Sequence, residues 1–362
     1  MLSHAKFIFS KSKVIEEYNK LEKISDYIAY SVKSNPYLTY ILEDNTESNF
    51  LTHHINELIF IKDRSKVWFM LHSPEDEELE VLFKNKVNKF IVDNNNDLER
   101  LLYFLDNSVP KEEKITLLLR MRLKEYTIQT GKYFVYGFFS KEINEQVNKL
   151  KTNPRIEGIG VHVHRKTQNL SEWALVNELS DSLSKETLNT IKYLDIGGGI
   201  PVPYKNISVS VIDRVHKEIK ELKDFSNKNN IKLIIEPGRA IAAPSGKLVT
   251  TIKNIVDNVV FVDASLFNSS MDTLVTNIKL LVDGEIEETD TEDEKIQEKG
   301  DGIAYTIKGL TPASEDIFRY RVYFKKGREP KIGNKLIFLN AGAYIYYTDL
   351  FNLERPEIEF EE

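Results

Sequence analysis

The sequence predicts an α/β fold: a β/α (TIM-like) barrel carrying a second, C-terminal β domain. Between residues 27 and 238, eight short apolar runs alternate with longer charged segments whose apolar residues recur at i, i+3 and i+4. Strands that are apolar throughout and separated by helices are parallel strands covered on both faces. Eight such strands suit a closed barrel, and a doubly wound open sheet is the rival reading of the same alternation. After residue 245 the texture changes to β-branched and aromatic runs parted by turns, the pattern of an antiparallel β domain.

The strand candidates are "YIAYSV" (27–32), "NFLTH" (49–53), "KVWFML" (66–71), "KFIVD" (89–93), "ITLLLRM" (115–121), "GIGVHVH" (158–164), "YLDIGGG" (193–199) and "KLIIEPG" (232–238). Segments such as "EDEELEVLFKNK" and "DLERLLYFLDN" between them read as helices. The second domain is read from "KLVTTIKNIVDNVVFVDA", "GIAYTIKGL", "FRYRVYF" and "KLIFLNAGAYIYY". Boundaries follow at 22–243 for the barrel and 244–362 for the β domain, with residues 1–21 completing the latter through a strand at "KFIFS". Residues 283–301, "DGEIEETDTEDEKIQEKGD", read as an acidic, solvated tip.

A chain of 362 residues suits one large domain plus a smaller one. It contains no cysteine, which excludes disulfides, thiolate metal sites and a cysteine nucleophile. The formal charge, 49 − 56 = −7, gives no electrostatic reason to expect a nucleic acid polymer or an anionic membrane as partner. No run of about 18 apolar residues occurs, and the N-terminus lacks a signal-peptide core, so the cytoplasm is the expected compartment.

Function in a β/α barrel sits at the C-terminal ends of the strands. Lys33 ends the first candidate, His162 and His164 the sixth, Gly197, Gly198 and Gly199 the seventh, and Glu236, Pro237, Gly238 and Arg239 the eighth. Singly, each has a bland reading: a snorkelling lysine, a satisfied core histidine, a tight glycine turn. Together they describe a chemistry. "DIGGGIP" offers consecutive amides unobstructed by side chains, which cradle phosphate, and Arg239 can neutralise that phosphate with a fork of donors. A lysine in an apolar pocket has its ammonium disfavoured and becomes a nucleophile. Glu236 can hold a proton on a ring nitrogen. Lysine, acid and phosphate cradle describe a pyridoxal 5'-phosphate site.

Five segments carry a family resemblance. "AYSVKSNP", "GVHVHRKTQ", "LDIGGGIP", "IIEPGRAI" and "NAGAYIYYTDLFN" resemble, in order, motifs of the alanine-racemase-like (fold type III) pyridoxal-phosphate decarboxylases, the ornithine, arginine and diaminopimelate decarboxylase group. The resemblance implies a cofactor-carrying barrel, a C-terminal β domain and a head-to-tail homodimer with shared active sites. It implies that Lys33 forms the internal aldimine, that His162 stacks on the pyridine ring and that Glu236 pairs with its nitrogen. Gly197, Gly198, Gly199, Gly238 and Arg239 would hold the cofactor's phosphate side, joined by Tyr344. Arg120, ending "LLLR", matches an arginine of the site, and Glu57 falls near a family glutamate. The implied reaction is decarboxylation of an amino-acid group through an external aldimine.

Three departures bear on the substrate. Where the family has a Cys-Asp/Glu pair, "GLTPASEDIF" places Pro312 and Ala313, leaving Glu315 or Asp316 as substitutes by proximity. "HVHR" replaces "HxGS", so His164 and Arg165 add bulk and positive charge. That suits a substrate with its own anionic group, or else Arg165 adds a phosphate contact. A His-x-His metal site is set aside because the resemblance already places His162 on the ring. In "NFLTHHINE", Leu51 replaces an acidic residue, and His53 and His54 either compensate or only fill space. These departures point to a non-standard or conjugated substrate, for example an aminocarboxypropyl group on a peptidyl nucleotide, as in the decarboxylase part of microcin C maturation, an antibiotic biosynthesis. The end at "RPEIEFEE" fits an excised domain and a natural terminus equally. An amino-acid racemase and a non-catalytic pyridoxal-phosphate-binding homologue are the alternatives.

Overall fold

The computed structural model describes residues 5–123, 136–165, 168, 173–286 and 302–362. Strand β1 (Lys6–Ser10) comes first, and eight parallel strands then close a barrel: β2 (Tyr27–Ser31), β3 (Asn49–Thr52), β4 (Val67–Met70), β5 (Lys89–Val92), β6 (Ile115–Arg120), β7 (Ile156–His162), β8 (Tyr193–Asp195) and β9 (Lys232–Ile235). The barrel closes where β2 pairs with β9, Tyr27 opposite Ile234 and Ile28 opposite Ile235. All eight strand candidates are strands, and the open-sheet alternative is excluded by this closure. The barrel interior is packed by Ala29, Leu51, Trp68, Ile91, Leu118 and Ile234, contributed by six of the strands. Strands covered on both faces have little room for polar side chains, which is why they read as unbroken apolar runs.

The surrounding helices show the complementary pattern. Helix Val209–Lys228 buries Ile212, Val215, Ile219, Leu222 and Ser226, one stripe at three- and four-residue spacing. Helix Asn95–Ser108 starts at Asn94, whose side chain accepts from the Asp97 amide at 2.9 Å.

The chain divides into two compact units. One comprises residues 15–201 and 210–240 and contains the barrel; the other comprises residues 1–14, 202–209 and 241–362. In the second unit, β10 (Gly246–Val256), β11 (Val259–Val262), β12 (Leu281–Val282), β13 (Gly302–Lys308), β14 (Ile317–Lys325) and β15 (Lys335–Leu339) run in the order β12-β15-β10-β11-β13-β14. Strand β1 joins this sheet through β10 and also pairs with β16 (Glu357–Glu361). The unit is not purely antiparallel as expected: β1 lies parallel to β16 and β11 parallel to β13. Neither pair is joined by a tight turn, so nothing in the connectivity forces the antiparallel arrangement that a hairpin requires.

Two further expectations change here. "KLIFLNAGAYIYY" is a strand only to Leu339, because Asn340 and Tyr344 adopt positive φ (53° and 54°), which ends an extended run. Residues 287–301 of the acidic stretch lie outside the described residues. At its start Asp283 and Gly284 are exposed, as expected of a solvated tip, whereas the Glu285 side chain is 6 % exposed and pairs with Arg319 at 3.1 Å.

Candidate active site

Polar side chains gather where the barrel strands end. Lys33 follows β2 in a tight turn, Val32–Ser34. The "SNP" after it is a stop signal: buried Asn35 accepts from the Tyr37 amide at 3.1 Å, with Pro36 opening the next turn. The segment after β9 abuts this turn. The Ser31 amide donates to the Pro237 carbonyl at 3.2 Å, and any Cβ on Gly238 would strike Ser34 Oγ. Lys33 and Glu236 therefore end two adjoining strands at the barrel's closure.

Lys33 is exposed. Its Nζ lies 3.0 Å from Nε2 of His53. Glu57 braces that histidine's turn, its carboxylate accepting from the amides of His53 at 2.5 Å and His54 at 3.1 Å. Burial pushes the Glu57 carboxyl up, against those two donors.

Along the adjoining strands, β7 and β8 end in His162 and Asp195 and β9 is followed by Glu236, all but withdrawn from water at 0 %, 0 % and 2 % exposure. Glu236 lies 3.4 Å from Nε2 of His162 and 3.6 Å from Nδ1 of His164. Neither contact has hydrogen-bond geometry, and both carboxylate oxygens lack a hydrogen-bond partner among the described residues. Burial alone would raise its pKa, but the two imidazoles, His162 foremost, hold it well below the usual carboxylate range. Asp195 goes the other way: burial and the neighbouring Glu236 charge push its pKa well up.

Asp195 Oδ1 accepts the Gly197 amide at 2.8 Å. That amide is thus turned away from any phosphate, and Gly198 and Gly199 carry the rest of the loop. Gly197 and Gly199 have φ of 68° and 80°. A Cβ on Gly197 would sit 2.6 Å from His164 Nδ1, and one on Gly198 would sit 2.7 Å from the Glu236 carbonyl. Only glycine lets the loop lie this close to both neighbouring strand ends.

The two histidines exchange expected places. The rings are nearly parallel, 6.0 Å apart at 17°, but His162 is fully buried whereas 36 % of the His164 side chain is open. A ring that stacks on a cofactor must present a face to the cavity, and His164 does so. Burial chiefly lowers its pKa, to about 4, leaving a neutral ring.

Arg165 is likewise not at the mouth. It is 3 % exposed, donates to the Ile196 carbonyl at 3.1 Å and lies 3.9 Å from the centroid of the Trp173 ring. The expected contact with a substrate anion is therefore lost. Arg120 stands 3.9 Å from Asp93 and over the Tyr136 ring at 5.4 Å. Arg239 is buried at 4 %, at the start of helix Arg239–Ser245.

The remaining candidates belong to the second unit. Asp316 cannot anchor a substrate: it is 0 % exposed and accepts from the Leu266 amide (2.8 Å), Ser265 Oγ (2.9 Å), the Thr311 amide (3.1 Å) and Thr311 Oγ1 (2.7 Å). It braces the turn before β14. Glu315 is exposed beside it, and Tyr344 lies past β15.

Sequence reasoning missed a cavity of about 470 Å³ beyond the ends of β4 and β5. His72, Ser73, Asn94, Tyr136 and the buried Asp93 and Asp97, each 5 % exposed, line it. Asp97 takes neutral donors, Ser73 N at 3.0 Å and Asn94 Nδ2 at 2.8 Å. The available signal was weak: "DNNND" reads equally well as a helix cap.

Residues 56–243 match the family described as pyridoxal-dependent decarboxylase, pyridoxal binding domain. The chain belongs to the pyridoxal-dependent decarboxylase family. The carboxynorspermidine/carboxyspermidine decarboxylase of Campylobacter jejuni is 27 % identical over 67 % of the chain, and the diaminopimelate decarboxylase of Vibrio cholerae 27 % over 68 %. These matches span 61 % and 63 % of those relatives' own length. In fold, the lysine/ornithine decarboxylase of Vibrio vulnificus superposes with a TM-score of 0.77 at 19 % identity, covering 99 % of this chain and 94 % of that one. The arginine decarboxylase of Paramecium bursaria Chlorella virus gives 0.75 at 19 %, covering 99 % and 96 %.

The residues fit the family's cofactor, pyridoxal phosphate. An exposed primary amine, a buried carboxylate with two unsatisfied oxygens and a loop that admits no Cβ occur at one barrel end. His162, His164 and Glu236 also bring donor atoms within 4.8 Å of one another, close enough for a cation. The family resemblance instead gives His162 and Glu236 expected roles at the cofactor ring.

Proposed function

We propose that the protein is a pyridoxal-phosphate-dependent decarboxylase of an amino acid whose far end carries a positive charge. The observation that carries the reading is the meeting of Lys33, Glu236 and the 197–199 loop at one end of the barrel. When bound, the cofactor supplies an electron sink for the bond to the departing carboxylate. Lys33 Nζ anchors it covalently. Glu236, ionised and buried, holds a proton on the ring nitrogen. His164 offers its neutral face to the ring, with His162 behind it at 3.4 Å from Glu236. The Gly198 and Gly199 amides, with Gly238 giving the clearance, serve the phosphate, and Arg239 and Tyr344 are its proposed side-chain ligands. Arg120, held by Asp93, borders the substrate space.

The charge preference rests on the cavity beyond β4 and β5. Buried carboxylates at Asp93 and Asp97 favour an ammonium group over an anion. The relatives' printed activities, on carboxynorspermidine and diaminopimelate, agree with a substrate larger than a simple amino acid. A conjugated substrate is compatible with this reading. The anionic peptidyl nucleotide loses its support with the burial of Arg165. We further propose a homodimer in which the active site is shared, as the family resemblance implies.

The test is carbon dioxide release from the pyridoxal-phosphate-loaded protein with carboxynorspermidine, diaminopimelate, lysine, ornithine and leucine. Turnover of one or more substrates bearing a second amine, with leucine inert and Asp97→Asn raising KM more than it lowers kcat, is expected. Carbon dioxide release from none of them, or inversion of the substrate's Cα without it, overturns the proposal.

A further inference from the structure

The partner of Lys33 is a residue that the family pattern does not supply. Strand β2 pairs with β3 in parallel, Ser31 opposite Leu51. Just past the ends of both strands, Lys33 in the turn after β2 and His53 after β3 bring their side-chain nitrogens to 3.0 Å. The histidine is not a loose neighbour. Its amide and that of His54 are clamped by Glu57, and its Nδ1 is buried without a hydrogen-bond partner, 3.9 Å from the Glu57 carboxylate.

We propose that His53 is a catalytic residue that takes a proton from Lys33 Nζ on its Nε2 and returns it when the lysine is released. This rests on the reading of Lys33 as the cofactor's anchor. The transfer is balanced within the pair: one N–H bond of the ammonium breaks, one N–H bond of the imidazolium forms, and the freed lone pair stays on Nζ. A hydrogen bond of 3.0 Å lets the proton cross without either side chain moving.

The surroundings set the direction. Glu57 faces His53 from its own turn, Lys33 from the turn after β2, His162 and His164 from the end of β7 and beyond, and Glu236 from the segment after β9. Burial, and next the charge of Lys33, lower the His53 pKa to about 3, with Glu236 opposing and His164 and His162 adding to the depression. The imidazole is therefore neutral at neutral pH with its Nε2 lone pair within reach of Nζ, and the same depression means that it relays the proton rather than stores it. Once Lys33 carries no charge, the second-largest push against the imidazolium is gone, so the acquired proton is better held.

The experiment follows attachment rather than turnover. Cofactor-free protein is mixed with pyridoxal phosphate, quenched with borohydride at intervals, and the fraction of the Lys33 peptide modified is measured by mass spectrometry across pH. In His53→Gln and His53→Ala, attachment at neutral pH is expected to slow about tenfold or more. The final extent should be unchanged, and the gap should close as the pH rises toward the lysine's own titration. Free imidazole should restore the rate in His53→Ala. Equal rates and pH profiles in wild type and both variants overturn the inference. So does a slowed His53→Ala that imidazole cannot rescue. If wild-type Lys33 takes up no cofactor at all, the underlying reading of the site fails instead. A His53→Gln that melts below the assay temperature leaves the rescue of His53→Ala to decide.

Discussion

Glu236 at the barrel mouth and Asp316 in the sheet unit are equally withdrawn from water, at 2 % and 0 % exposure, and differ in their company. Asp316 is met by two amides and two hydroxyls, all at hydrogen-bond distance. Glu236 has two imidazoles at 3.4 and 3.6 Å and, among the described residues, no hydrogen bond to either oxygen. A buried carboxylate whose lone pairs are all taken has been recruited to hold a turn. One left with open lone pairs beside two imidazoles is open to a group that arrives later, because such an arrangement costs stability that local packing does not repay. A buried carboxylate is thus fully partnered in one unit and left with open lone pairs in the other, and the number of donors separates the two.

The largest effect that would break this comparison is catalytic. Glu236→Gln keeps the shape and removes the charge. It should lower kcat about a hundredfold or more, the size of a lost charge-stabilising contact. The melting temperature should hold or rise, since a buried charge without hydrogen bonds is removed. Steady-state kinetics paired with a thermal melt checks both; a large loss of stability with intact kcat would make Glu236 another brace.

Asp316→Asn is the mirror experiment and comes next in size. An amide nitrogen now faces donors that previously found oxygen, leaving at least one buried donor unsatisfied. A loss of about 2–4 kcal/mol is expected from one or two such donors, read by urea unfolding. Activity per folded molecule should stay within a few-fold of wild type. An Asp316→Asn protein that is stable but no longer discriminates among substrates would restore Asp316 as a substrate anchor.

The smallest effect sharpens the comparison through pH. The folded pKa values of His53 (about 3) and His164 (about 4) lie below the ordinary histidine value of 6.5. The unfolded chain therefore binds the protons that the folded mouth refuses. This contribution to stability is fully present above pH 6.5 and is lost as pH falls toward 4 and then 3. Unfolding should take up as many as two extra protons from this pair. The share of His164 is reduced by solvent screening, because 36 % of its side chain is open. Calorimetry in buffers of different ionisation enthalpy measures the uptake. Glu236→Gln should alter it, whereas Asp316→Asn, whose carboxylate partners are amides and hydroxyls, should leave it unchanged.

Much of this was legible in the sequence, for physical reasons that attach to particular residues. Eight apolar runs could be recognised as barrel strands because residues such as Phe50, Leu117 and Ile234 are buried whichever face they take. Lys33, the 197–199 glycines and Glu236 stood out because the interior of a parallel strand excludes such residues and its end does not. His162 and His164 share one face of an extended segment and cannot be told apart by period. Only the depth at which β7 stops buries the first and opens the second.

Arg165 could not be placed because a guanidinium two residues past a strand can turn outward to an anion or inward over Trp173. Asp316 misled because proximity in sequence to an expected motif carries no information about donors from Ser265 and Leu266, some fifty residues away. The cavity beyond β4 and β5 left almost no trace, since its acids also serve a helix cap.

The sequence by itself determined that strands would alternate with helices, where those strands would end in polar groups, and which amine, acid and glycine loop would be available. Hydrophobic period and backbone freedom are local properties and are written residue by residue. Only the tertiary structure decided that β2 closes against β9 to bring Lys33 beside Glu236, that the turns past β2 and β3 set Lys33 against His53, and which buried acids keep open lone pairs. Burial and hydrogen-bond partnership are relations between distant segments, and they take a definite value only when the chain has closed on itself.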